Sequence, residues 1–381
     1  MSLYIDLSEF LEHPVTTGIQ RIVGEMCRYL PSGAAIPVRV HGGGFVAFPP
    51  TLIDIIGQHF RDASAAGATQ IRKLGAGVSG LPIDLSPSDT ILVPEVFDNA
   101  ERLAFFRGLG KREWSRVKFI VYDLLPVTHP QYFMPEGVLS IYGYYHLIRR
   151  AAACGFISEA TRDSYYNRLK RTTAGNGTIL RLGCDSLGRR AERPAINRER
   201  TFSVLGTIEP RKNHELILEA FEPLLGRIQG LTLEFIGKIG WVEPEFARKV
   251  EALAADKNSG LRFHPAPGDG AIRSYVERSR ATIYVSAAEG YGLPPVESLW
   301  VGTPVIASAM VPSVKGIGLG GVHMVDPLTA DNLRKAALAF LNDSYANQMT
   351  EATTHLNLPT WRSFTEDVLR WCEDEPANAA A

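Results

Sequence analysis

Short apolar runs alternate with longer stretches of helical periodicity along most of the chain. In the first half, Leu3–Leu7, Thr90–Val93, Lys118–Tyr122, Gly155–Ile157 and Thr178–Leu182 predict strands, because brief apolar or β-branched runs bounded by turn residues suit buried strands. The clearest helix follows the Thr16-Thr17-Gly18 turn. There Ile19, Ile22, Val23, Met26 and Leu30 recur at helical spacing and make one apolar stripe. After Leu182 the pattern gives way to Gly183-Cys184-Asp185-Ser186-Leu187-Gly188 and a polar, Arg-rich stretch that reads as a linker. A second series then begins, with strands expected at Thr201–Leu205, Leu231–Ile236, Leu261–Phe263, Thr282–Val285, Pro304–Ala307 and Val322–Val325. Helices are expected around Asn213–Leu225, Glu245–Ala254, Ala271–Arg280, Pro295–Val301, Ala330–Phe340 and Trp361–Glu373.

Strands alternating with helices imply parallel sheets, whose ligands sit at the carboxyl ends of the strands. The 381 residues exceed one ordinary core and suit two domains. The expected division is a Rossmann-like first domain over 1–185, a linker over 186–200, a second Rossmann-like domain over 201–358, and a terminal helix and tail over 359–381.

Composition narrows this little further. A net charge of −1 with 21% charged residues argues against nucleic acid as a partner. Cys27, Cys154, Cys184 and Cys372 are widely spaced and form no metal-ligand pair, so free thiols in a reducing cytoplasm are expected. No segment approaches the ~20 apolar residues of a membrane span, and Met1–Asp6 reads as a strand, not a leader. For the aromatic, Arg-rich stretch Tyr142–Arg150 two readings stand: contact with a membrane surface, or a buried amphipathic helix.

Two motifs mislead. Gly75-Ala76-Gly77-Val78-Ser79-Gly80 spells a dinucleotide fingerprint, but Pro82 and Pro87 would break the helix that must receive the pyrophosphate, so a flexible loop is expected. His41-Gly42-Gly43-Gly44 resembles an esterase oxyanion loop. The chain holds no Gly-x-Ser-x-Gly elbow, so a glycine turn between strands is the better reading.

The informative stretch is Ser286-Ala287-Ala288-Glu289-Gly290-Tyr291-Gly292-Leu293-Pro294-Pro295-Val296-Glu297, running from a strand through a glycine loop into a helix. Gly290 and Gly292 let backbone approach a ligand, a proline suits the first helical turn, and the free N–H groups there face an anion such as a diphosphate. Glu289 and Glu297 can border the same pocket and accept hydrogen bonds from sugar hydroxyls. Arg211 and Lys212 follow another strand end and precede an amphipathic helix; they offer a planar fork and a point charge to phosphate oxygens. Each residue alone also has a structural reading, as a dipole partner, a loop acid or an exposed helix-start pair.

The segment 286–297 resembles the signature of retaining glycosyltransferases of family four, in which a glutamate, seven residues and a second glutamate border the donor site. Gly206-Thr207-Ile208-Glu209-Pro210-Arg211-Lys212-Asn213-His214 resembles the loop in which that family clamps the donor diphosphate, and Trp361 resembles the aromatic that opens its final helix. The likeness spans 201–375 well and the first half more loosely. It points to the bacterial mannosyl- and rhamnosyl-type polysaccharide enzymes.

The resemblance implies the GT-B fold: two Rossmann-like domains facing a central cleft, with the C-terminal helix crossing back to the first. It implies transfer, with retention, from a GDP-, UDP- or dTDP-sugar to a glycan or polyprenyl-linked oligosaccharide, with no cofactor and no metal, in a cytoplasmic or peripheral inner-membrane setting. Donor-binding residues are then Gly18, Arg211, Lys212, Glu289, Gly290, Tyr291, Gly292, Leu293 and Glu297, with Arg211, Lys212 and Glu289 also catalytic. On the acceptor side Asp123, after the Phe119–Tyr122 run, is the candidate to orient or deprotonate the hydroxyl, or else a turn cap; His129 is the second acceptor-side residue. The rivals are a sugar-nucleotide epimerase on the same architecture and a catalytically silent relative.

Overall fold

The computed structural model describes residues 2–15, 18–62, 65–76, 81–86, 88–151, 153–170, 177–265, 267–315, 317, 318 and 320–374. The chain divides into two compact units, one formed by Met1–Gly183 with Thr360–Ala381 and the other by Cys184–Pro359.

The strands are β1 (Leu3–Asp6), β2 (Ile36–His41), β3 (Gly44–Ala47), β4 (Leu81–Pro82), β5 (Thr90–Val93), β6 (Val117–Val121), β7 (Ala153–Phe156), β8 (Thr178–Ile179), β9 (Thr201–Leu205), β10 (Thr232–Ile236), β11 (Leu261–His264), β12 (Ala281–Tyr284), β13 (Val305–Ser308) and β14 (Val322–Val325). In the first unit they form one sheet in the order β4-β3-β2-β1-β5-β6-β7-β8. It is parallel except at one edge, where β3 pairs antiparallel with β2 and with β4. His41 pairs with Gly44, and Gly42 and Gly43 take left-handed conformations, so the glycine-rich stretch is a hairpin turn. Gly75 and Ala76 end a helix, Ala65–Ala76, and are not part of a loop; Gly77–Gly80 lie outside the described residues.

The interior strands are mostly apolar because both faces are covered: every residue of β5, β6 and β9 is buried, including the polar Thr90, Lys118, Thr201 and Ser203. β1 and β5 are neighbours although the chain visits β2, β3 and β4 between them, so the first sheet switches direction at that pair. At their carboxyl ends lies a buried polar cluster. The Arg102 guanidinium reaches Asp6 at 2.7 Å and Glu95 at 3.3 Å and stacks over Phe97. Glu95 also accepts the N–H groups of Glu9 and Phe10 and so fixes the turn after β1. Burial raises the Glu95 carboxyl to about 8, with Arg102 opposing and Asp6 adding to the shift.

The Trp361–Glu373 helix belongs to this unit. Thr360 and Ser363 close its N-terminus in a reciprocal capping box, and Trp361 is fully buried. Its last carbonyls, on Trp371, Cys372 and Asp374, accept hydrogen bonds from the buried ammonium of Lys118 on β6.

The second unit has a six-stranded, all-parallel sheet in the order β11-β10-β9-β12-β13-β14, switching direction between β9 and β12. The stretch 186–200, expected as a linker, packs onto this unit. Arg198 donates to the carbonyls of Ser279 and Gly302, Arg190 to those of Thr353, Thr354 and Leu356, and Trp300 donates to the Gly188 carbonyl. An Arg-rich run reads as solvated in a sequence, but its guanidinium forks here satisfy helix-end and turn carbonyls. Among the described residues no helix is long and apolar enough to cross a membrane, and no group of three or more His, Cys, Asp or Glu side chains could hold a metal ion.

Candidate functional site

The switch between β9 and β12 brings two loops together. Past β9 the chain enters a single 3-10 turn, Pro210–Lys212, and Asn213 follows in a left-handed conformation that opens the His214–Phe221 helix. The Asn213 amide donates to the Val285 carbonyl at 2.7 Å and the Ala287 N–H to the Arg211 carbonyl at 2.8 Å, so the two loops are stitched by hydrogen bonds.

Four side chains meet there. Glu289 Oε1 lies 2.7 Å from Arg211 Nη1, 3.3 Å from Lys212 Nζ and 2.8 Å from the Tyr284 hydroxyl. Lys212 donates to the same hydroxyl at 3.0 Å, and Arg211 also pairs with Glu209 at 2.6 Å and donates to the Ala288 carbonyl. Burial alone would raise the Glu289 carboxyl, but the Lys212 and Arg211 charges outweigh it and hold it at about 2. Burial would weaken both cations, yet the charges of Glu289 and Glu209 raise Arg211, and Tyr284 and Glu289 raise Lys212. The Tyr284 hydroxyl is pushed up to about 12, first by burial and then by Glu289. The site therefore holds two firmly charged cations matched by two carboxylates.

Two glycines are obligatory. Gly206, at φ +124°, gives the Lys212 chain room: a Cβ there would lie 3.1 Å from Lys212 Cε. Gly292, at φ +91°, forms the N-cap of the Leu293–Trp300 helix, and a Cβ would meet Val311 at 2.8 Å. Pro294 and Pro295 in the first turn of that helix carry no N–H, so the amides of its N-terminal end are those of Leu293 and Val296.

The structure thus joins Arg211, Lys212 and Glu289 directly, with Gly290, Tyr291 and Gly292 on the connecting loop and Leu293 opening the helix. Tyr291 is buried, and its carbonyl accepts the Ser313 N–H. Glu297 lies buried one turn into the same helix. Gly18, Asp123 and His129 belong to the first unit. Gly18 opens the Gly18–Tyr29 helix at φ +60° in open space, while Thr16 and Thr17 lie outside the described residues. Asp123 Oδ1 accepts the Leu125 N–H at 3.0 Å, the turn-capping arrangement. His129 bonds to Thr128 and stacks on Tyr132. Sequence reasoning missed Tyr284, Glu209 and Gly206. A tyrosine inside an apolar strand reads as core, and Glu209 reads as a loop acid.

Residues 189–355 match the family described as glycosyl transferases group 1. The match covers nearly all of the second unit. Serotype-specific mannosyltransferase WbdA of Escherichia coli is 24% identical over 395 residues, covering 97% of this chain and 44% of that protein. O-antigen chain mannosyltransferase B of Escherichia coli is 27% identical over 150 residues, 39% of this chain and 38% of that one. The chain spans less than half the length of these curated relatives. Anabaena HepE, solved in complex with UDP, superposes with a TM-score of 0.66 at 12% identity, over 97% of this chain and 99% of its own. Sucrose-phosphate synthase from Thermosynechococcus elongatus gives 0.62 at 13% identity, over 97% and 98%. These likenesses establish the GT-B fold class for the chain, and the cation-carboxylate site lies at the switch point of the unit that the family match covers.

Proposed function

We propose that this chain is a retaining glycosyltransferase that moves a sugar, mannose by preference, from a nucleoside diphosphate to a hydroxyl of a glycan or polyprenyl-linked oligosaccharide during synthesis of a bacterial surface polysaccharide. It would work as a peripheral protein on the cytoplasmic side. The mannosyl reading draws on the names of the relatives. The observation that carries the transferase reading is the Arg211–Lys212–Glu289–Tyr284 cluster at the β9/β12 switch point, beside a helix N-terminus.

In the free protein the two cations are occupied by carboxylates. A bound diphosphate would draw Arg211 and Lys212 onto its oxygens and release Glu289 to accept hydrogen bonds from the sugar, with Glu297 holding the ribose. As the bond from the anomeric carbon to the β-phosphate oxygen breaks, its electron pair stays on the diphosphate. There Arg211, Lys212 and the helix amides stabilise it, a role worth about 10²–10³ in rate per donor in comparable sites. The acceptor oxygen bonds to the anomeric carbon from the same face, and its proton passes to the departing diphosphate oxygen. Asp123 is the proposed acid that orients this hydroxyl, its Oδ1 held by the Leu125 amide. The two side-chain cations supply the charge that a metal provides elsewhere, so turnover should persist in chelator.

Thermal-shift screening against GDP-, UDP- and dTDP-sugars, followed by NMR of the product with a competent acceptor, tests this. Stabilisation by one donor class and an anomeric configuration equal to the donor's are expected. Inversion, or an altered donor with no acceptor product, overturns the reading. Asp123→Asn should lower transfer while leaving the donor-induced shift intact.

A further inference from the structure

Four large apolar side chains stand exposed within one sixteen-residue stretch of the first unit: Val127 at 39%, Met134 at 57%, Leu139 at 76% and Tyr142 at 67%. Large exposed apolar residues elsewhere are scattered along the chain, and single ones need no explanation; four within one short stretch do. The stretch centres on the Pro135–Arg150 helix. That helix buries Tyr144, Tyr145, Leu147 and Ile148 against the core, so its stability does not require the outer face to be apolar. On the outer face Leu139, Tyr142, His146 and Arg149 follow one another at intervals of three or four residues, which places them in one stripe. Its first half is apolar and its second half, with Arg150, is basic. Arg107 of the Ala100–Gly108 helix adds a cation beside Gly143. Glu136 is the sole acid in the Pro135–Arg150 helix.

We propose that this face docks on an anionic lipid bilayer, with Met134, Leu139 and Tyr142 entering the headgroup boundary and Arg107, Arg149 and Arg150 contacting acidic headgroups. An apolar tip beside a cationic rim matches a surface that is apolar below and negative above, and each basic residue near such a surface adds attraction that salt screens. A tyrosine at the junction suits that depth, being apolar along its ring and polar at its tip.

The test is flotation of the full chain with vesicles of phosphatidylcholine containing about 30% phosphatidylglycerol, and with phosphatidylcholine alone. Binding to the anionic vesicles, weakened at least about tenfold by 0.5 M salt, by Leu139→Glu/Tyr142→Glu and by Arg149→Glu/Arg150→Glu, is expected. No binding, or binding that both double variants retain, overturns the proposal. So does concentration-dependent dimerisation in light scattering that Leu139→Glu abolishes, because the face would then be a contact between copies. Circular dichroism melting shows whether the variants fold. No donor is needed, so failure here is distinguishable from failure of the transferase reading.

Discussion

Both units place charged side chains at the point where their sheet switches direction, but the two clusters differ in composition and access. In the first, Asp6 and Glu95 are 0% exposed and Arg102 3%, and these two acids, with the partly exposed Glu9 at 3.8 Å, share one guanidinium. In the second, Arg211 is 16% exposed, Lys212 13% and Glu289 9%, and cations and carboxylates balance. The same topological position therefore serves two ends. A sealed, acid-rich cluster can only hold turns in place, whereas an open, balanced one can exchange its internal partners for a ligand's.

The sharpest way to break this contrast is Arg102→Ala. It leaves the Asp6 carboxylate buried without its cation, beside the Glu95 carboxyl, and should destabilise the protein by about 3–5 kcal/mol, read as a fall in the urea midpoint. A loss under ~1 kcal/mol would mean the cluster is as solvated as a surface pair. Arg211→Ala or Lys212→Ala should lower the midpoint less, because the other cation still faces Glu289, and should cut transfer by about 10²–10³, measured as nucleoside diphosphate released with acceptor present. Gly206→Ala acts on both scales: a side chain at φ +124° costs about 1–3 kcal/mol, and displacement of Lys212 should weaken donor binding in calorimetry.

The pH dependence of stability separates the clusters most finely. Glu289 titrates below its ordinary value in the folded state, so its contribution is complete above about 4.5 and is lost as pH falls toward 2. Glu95 is raised, so in the folded state it holds a proton that the unfolded chain has released. Stability should decline as pH rises from about 4.5 to about 8. Glu289→Gln should flatten the acid limb of the midpoint profile and Glu95→Gln the neutral limb; interchange of these effects would refute the assignment.

How much of this was legible in the sequence depended on how local the signal was. Each of β9 to β14 lies within a residue or so of its expected position, because all-parallel buried strands leave continuous apolar runs between glycine and proline breaks. The β2–β3 hairpin was read only through its glycine turn. Pro37 and Arg39 interrupt β2, and an edge hairpin need not be apolar throughout. Arg211, Lys212 and Glu289 could be chosen because each follows a strand end. Tyr284 could not, since nothing in Thr282-Ile283-Tyr284-Val285 tells a working hydroxyl from packing. Asp6 lies far from Glu95 and Arg102 in sequence and meets them only through the pairing of β1 with β5.

The last helix has a bearing on biosynthesis. The first unit is built from two separated segments, the second from one continuous segment, Cys184–Pro359. A nascent chain can complete its middle before its beginning: until Thr360–Asp374 leaves the ribosome, Lys118 has no carbonyl partners and the groove for Trp361 stands empty. Polypeptides cut short near Pro359 should therefore expose chaperone-binding surface on the half that was translated first.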